Sequence, residues 1–126
     1  DFGKYIQETV ISKTTTFTLD FEEARTVRAV MVYTSKDEFA AFDKIARIEF
    51  VCIEDGKEVI YFIKDVKLSA ECYQANDYDG SIFYISPGAA AYAEFDELNV
   101  KSIRITIDVP ANQDSVGISE IRVLGK

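Results

Sequence analysis

The sequence predicts an all-β domain, an antiparallel β-sandwich or jelly roll of about eight short strands. Three observations predict it. Apolar residues recur with a period of two rather than 3.6. An Asp-Gly dipeptide, favoured where a tight turn needs positive φ, separates two strand-type runs. Polar or irregular stretches punctuate the chain between the alternating segments.

The elements follow in order. In "TTTFTLDF", Phe17, Leu19 and Phe21 face one way while Thr16, Thr18 and Asp20 face the other, as in a half-buried strand. Val27 to Tyr33, "VRAVMVY", is apolar on both faces and predicts a central strand. A hairpin is expected from about Ala46–Ile53 and Glu58–Ile63, joined at Asp55-Gly56. "AAAYAEFDEL" has a composition that suits a helix, but its place between Pro87-Gly88 and the next strand predicts a strand with Tyr92 and Phe95 packed. In "VKSIRITIDV", Ile103, Ile105, Ile107 and Val109 form one face and Ser102, Arg104, Thr106 and Asp108 the other. The last strand carries Ile121 and Val123 after the polar loop "PANQDS". Ser35–Lys44 and Glu71–Ser81 read as loops.

A chain of 126 residues, 48% hydrophobic, suggests one domain with a core that needs no staples, spanning residues 1–126. The chain starts at Asp1 without Met and is expected to be a segment of a larger protein. A net charge of −8 argues against nucleic acid and anionic membrane surfaces as partners. No run approaches the ~20 apolar residues of a membrane-inserted helix. Without histidine, the usual zinc sites and the Ser-His or Cys-His nucleophile systems are excluded, and no phosphate-cradling glycine loop is present. No catalysis is expected from this segment. Cys52 and Cys72 lack CxxC spacing and read as two buried thiols or as one disulfide.

"AEFDELNVKSIRITIDVP…VGISEIRVLGK" resembles the C-terminal part of the galactose-binding-like β-sandwich family, of the discoidin or coagulation-factor C-domain type. "FTLDFEEARTVRAVMVY" is similar to the strand pair of that family, and Asp55-Gly56 sits where members often have their turn. The resemblance spans most of the chain from about Thr14 onward. It implies a galactose-binding-domain-like jelly roll serving as a non-catalytic carbohydrate-binding module. Such modules are accessory to extracellular or surface glycan-processing enzymes such as bacterial glycoside hydrolases. It also implies a structural calcium ion, with Glu120 as a ligand and Asp1 from the N-terminal stretch as a second. Calcium takes six to eight oxygens, and a Glu on the last strand would clamp the N-terminal loop through the ion. The competing reading of Glu120 is a strand charge, solvated or paired with arginine.

The family's galactose-binding set includes a histidine and frequently a tryptophan, and this chain has neither. A glycan site here must be built differently, from an aromatic ring that stacks on the sugar and polar groups that meet its hydroxyls. The candidates are Tyr78, Tyr73, Asn76 and Asp79 in one loop, and Asp37 and Phe39 in the other. The "EFAAF" spacing of Phe39 and Phe42 equally suits one turn tucked against the sheet as core. "QANDYDGS" imitates part of an EF-hand loop but lacks its first Asp and last Glu, so it reads as an acidic turn. The partner is then a glycan or a protein domain of the same parent chain. The missing His and Trp favour the second alternative, a protein-interaction or structural sandwich in a larger extracellular protein.

Overall fold

A computed structural model describes residues 9–35, 40–69, 73–76, 82–85 and 90–125. The described residues form strands and turns with no α-helix. The strands are β1 (Thr9–Ile11), β2 (Thr15–Thr34), β3 (Lys44–Glu54), β4 (Lys57–Lys67), β5 (Tyr73–Asn76), β6 (Ile82–Ile85), β7 (Ala90–Ile107) and β8 (Val116–Gly125). Six of them make one antiparallel sheet in the order β1-β8-β2-β7-β3-β4, and β5 and β6 pair as a separate ribbon. The all-β expectation holds, with one correction to the loop assignments: Tyr73–Asn76, read as loop, is a strand paired with Ile82–Ile85.

The second difference is strand length. The two segments expected as separate strands in Thr14–Tyr33 are one strand, β2, of 20 residues, and "AAAYAEFDEL" continues into "VKSIRITIDV" as the 18-residue β7. Both are interrupted where they pair with each other. The register passes from Asp20↔Ser102 to Arg25↔Val100, so Phe21–Ala24 bulges opposite Lys101 alone. It passes again from Val27↔Leu98 to Ala29↔Glu94, so Phe95–Glu97 bulges opposite Arg28. Extra residues in one strand bend it and increase its twist. Lys101 Nζ donates to the carbonyls of Phe21 and Glu22, both at 2.7 Å, and so holds oxygens that the bulge takes out of the ladder.

The register shifts divide the pairing within this one sheet into two parts, here called leaves. One contains β1, β8, the C-terminal half of β2 and the N-terminal half of β7; the other contains the remaining halves of β2 and β7 with β3 and β4. A single hydrophobic cluster draws on both. Val30, Val32, Ile118, Ile121 and Val123 come from the first leaf, and Leu19, Ile45, Ile48, Phe50, Ile103, Ile105 and Ile107 from the second. This is the face that the alternating residues foretold. Val109 and Phe95 pack partly buried against the cluster, and Phe42 is buried within it. Cys52 is also buried there as a free thiol, and burial pushes its pKa up.

The chain's two end segments meet through Thr9↔Ile118 and Ile11↔Val116. Next to them, Thr34 Oγ1 donates to the Gly117 carbonyl (3.2 Å) and accepts from the Phe42 amide (3.0 Å), tying the segment before β3 to β8. Gly117 has to be small, because a Cβ there would stand 2.9 Å from the Ser35 Cβ. The β3–β4 hairpin closes as expected at Asp55 (φ 50°) and Gly56 (φ 74°), a pair of left-handed residues whose twist matches that of the flanking strands.

Candidate functional site

The described residues offer two places where side chains gather without being consumed by the main core. The first surrounds Glu120. Alternation along β8 puts Glu120, Arg122 and Leu124 on the face opposite Ile121 and Val123. The register sets Tyr33 beside Glu120 and Met31 beside Arg122; on the other flank of β2, Met31 faces Tyr92 and Ala29 faces Glu94. Ala29, Met31, Ala90 and Leu124 form a small buried cluster with Tyr33 and Tyr92 half-buried against it. Arg122 Nε donates to Glu120 Oε1 at 2.9 Å, and the Tyr92 hydroxyl donates to Glu94 Oε2 at 2.7 Å. Burial raises the Tyr33 pKa; the Arg122 charge works against this and the Glu120 charge with it.

Glu120 therefore meets an arginine. A guanidinium at hydrogen-bond distance neutralises the carboxylate and repels a divalent cation. Among the described residues no group of three Asp, Glu, Cys or His side chains stands together. Among the described residues the Glu120 carboxylate is thus held by Arg122, and Asp1, the other ligand implied by the resemblance, lies outside the described residues. So do Tyr78, Asp79, Asp37 and Phe39. Tyr73 and Asn76 sit at the two ends of β5, opposite Ile85 and Ile82. Among the described residues, Tyr73 and Asn76 thus belong to the β5–β6 ribbon, whereas Glu120 belongs to the six-stranded sheet.

The second place is β4. It pairs with β3 on one side and ends the sheet on the other. Every residue of this strand is exposed or half-exposed. Ile60, Tyr61 and Phe62 are 51%, 40% and 52% exposed. Ile60 and Phe62 lie on the outer face, where the Arg47 guanidinium sits 4.0 Å from the Phe62 ring centroid and Arg47 is itself held by Glu49 at 3.0 Å. Tyr61 lies on the inner face opposite Phe50 and donates to Glu54 Oε1 at 2.6 Å, a bond that raises its pKa. Between β4 and the β7 bulge runs a groove of about 230 Å³ lined by Phe50, Tyr61, Phe62, Ile63, Phe95 and Leu98, with Asp96 at its margin. Phe50 and Phe95 form its floor, their centroids 4.7 Å apart and their planes tilted by 54°.

Against protein families, curated proteins and solved structures, the chain has no match. The site has to be read from its own chemistry.

That chemistry differs between the two places. Around Glu120 there are phenols and paired charges over a small apolar base, groups able to meet hydroxyls. Along β4 there are large apolar side chains beside a row of backbone N–H and C=O groups with no strand to receive them among the described residues. A smaller cleft of about 170 Å³, lined by Asp43, Lys44, Asp108 and Pro110, has two of its charged side chains engaged: Lys44 bonds Asp65 at 2.6 Å and Thr14 Oγ1 donates to Asp108 at 2.8 Å. Sequence reading missed β4 as a site. "EVIYFI" reads as an ordinary apolar strand, and only its place at the end of the sheet makes it a surface.

Proposed function

We propose that the chain is a non-catalytic recognition module, a galactose-binding-like β-sandwich whose two leaves face each other, and that it engages protein through β4. One observation carries the choice of ligand class: an edge strand exposing Ile60, Tyr61 and Phe62 beside an apolar groove. Sugars need converging donors and acceptors, which this groove lacks, whereas an added strand uses the free ladder groups and seats alternate apolar side chains. The shared cluster of the two leaves supports the sandwich. The resemblance supports a place in a larger extracellular or surface protein.

A peptide-display selection on the immobilised chain tests the ligand class. Extended peptides with alternating apolar residues should be enriched, and Phe62→Glu should abolish their binding while Tyr33→Ala leaves it intact. Failure to enrich such peptides, or binding indifferent to Phe62→Glu, overturns the reading.

A second reading, the carbohydrate-binding module accessory to a glycan-processing enzyme, rests on the Tyr33 and Tyr92 rings beside Glu120, Arg122 and Glu94. It requires binding on a glycan array that Tyr92→Ala removes and Phe62→Glu does not. The same array run with and without chelator tests the calcium expectation. With Arg122 as the carboxylate's partner, chelator leaves the melting temperature of wild type and Glu120→Gln unchanged; a chelator-sensitive wild type alone restores the metal role.

A further inference from the structure

We propose that the partner of β4 is a second copy of this chain, paired antiparallel across a two-fold axis that passes through Tyr61. The assignment rests on β4 being the recognition edge, and names what occupies it. A two-fold relation between two edge strands places the axis normal to the sheet, so each residue meets one from its own face. That restricts the registers to steps of two residues along the partner strand.

The charges on β4 discriminate among those registers. With Tyr61 on the axis, Lys57 of one copy opposes Asp65 of the other and Glu58 opposes Lys64. Each of these pairs occurs twice by symmetry. Between them, Val59 meets Ile63, Ile60 meets Phe62, and Tyr61 meets Tyr61, so that β-branched and aromatic residues oppose one another throughout. Moving the axis to Phe62 sets Lys57 against Lys67, Val59 against Asp65 and Ile60 against Lys64. Moving it to Ile60 sets Glu58 against Phe62 and Lys57 against Ile63. Only the Tyr61 register opposes unlike charges at both ends of an apolar centre.

The surroundings agree. Among the described residues Lys57 and Glu58 form no ion pair within the chain, and Lys64 lies 5.5 Å from the Phe62 centroid, on the outer face where Glu58 of the other copy would arrive; Asp65 already bonds Lys44 of its own copy at 2.6 Å, so the Glu58–Lys64 pair carries the selection. Lysines and backbone irregularities usually blunt an exposed edge against pairing. Here each lysine within the paired stretch meets a carboxylate of the twin. The left-handed Asp65 (φ 56°) lies at the end of that stretch, where it limits how far the ladder extends. On the inner face the two apolar grooves would adjoin at the paired Tyr61 rings.

Sedimentation velocity across concentration, up to about 1 mM, tests this on the intact chain. Wild type should form a dimer. Glu58→Lys alone opposes lysine to Lys64, Lys64→Glu alone opposes two glutamates, and each should weaken dimerisation about tenfold. An equimolar mixture of the two variants should recover it, since every opposed pair is then unlike. Thermal melts well below the dimerisation range should be unchanged, because both positions are exposed. A wild type that is monomeric throughout, or a mixture no tighter than the separate variants, overturns the second copy. In that event, peptide binding abolished by Phe62→Glu would still leave β4 as a recognition edge for another protein.

Discussion

Replacing Phe50 by alanine should cost far more than replacing Phe62, although both belong to one hairpin and are the same residue type. Phe50 is 1% exposed and packs against Phe95 with the ring planes tilted, whereas Phe62 is 52% exposed. Truncating a buried phenylalanine costs ~3–5 kcal/mol, within which an aromatic pair accounts for about 0.5–1.5. Total stability for a domain of this kind is roughly 5–15 kcal/mol, so Phe50→Ala should remove a large part of it. At about 2.1 cal/mol/K per residue, a chain of 126 residues has an unfolding entropy near 0.26 kcal/mol/K, so a loss of ~4 kcal/mol lowers Tm by roughly 15 °C. Phe62→Ala removes half-solvated area and the Arg47 contact, together under about 1 kcal/mol. Urea unfolding at protein concentrations well below self-association, with m-values compared to establish that the unfolded reference is unchanged, measures both. Comparable losses for the two variants, or a larger one for Phe62, would mean that the hairpin presents the opposite face to the core. The assignment of β4's exposed set would then be wrong as well, since a one-residue slip exchanges the faces of a strand.

Other outcomes follow from the same geometry. Gly117→Ala should cost ~1–3 kcal/mol by driving a methyl against the Ser35 Cβ, and Ser35→Gly in the same chain should recover part of it in thermal melts. Lys101→Met keeps the aliphatic stem but leaves the Phe21 and Glu22 carbonyls without their charged donor, so denaturant unfolding should register a loss of ~1–3 kcal/mol. Asp65→Asn retains a residue that tolerates the left-handed backbone while removing the Lys44 ion pair, which should lower Tm slightly at neutral pH. The Lys44 hydrogen bond lowers the Asp65 pKa, so the carboxylate's contribution is present above its unfolded value and fades as pH falls through the lowered folded one. The difference between Asp65→Asn and wild type should therefore vanish in acid, and a difference that persists there would refute the ion-pair explanation.

Local chemistry made much of the fold legible. Alternation along Ile103–Ile107 specified the core face, and Asp55-Gly56 specified a turn that two left-handed residues then close. The continuity of β2 and β7 was not legible, because the charged residues in Phe21–Ala24 and Phe95–Glu97 break the alternation, while their bulges and the Lys101 contact depend on a partner strand far away in sequence. Tyr73–Asn76 was read as loop for its polarity, although a two-stranded ribbon has little core to demand alternation. At the candidate site, the sequence left Glu120 with two competing roles, and the described contact is a hydrogen bond from Arg122. Nothing local distinguishes an exposed "VIYFI" from a buried one. Its exposure is a property of strand order, which non-local pairing decides.

The layout of β2 also governs how the polypeptide reaches this state during synthesis. Its ladder partners begin at Ala90, so at translation rates of ~5–20 residues per second both of its flanks stay bare for several seconds after Thr34 has been made. The β3–β4 hairpin, closed by neighbours in sequence, needs only microseconds. The waiting stretch Val27–Val32 is rich in apolar, β-prone residues, and Arg25 and Arg28 stand before and within it as gatekeepers. Replacing them with neutral residues should reduce soluble yield on the ribosome's timescale before it alters the finished molecule.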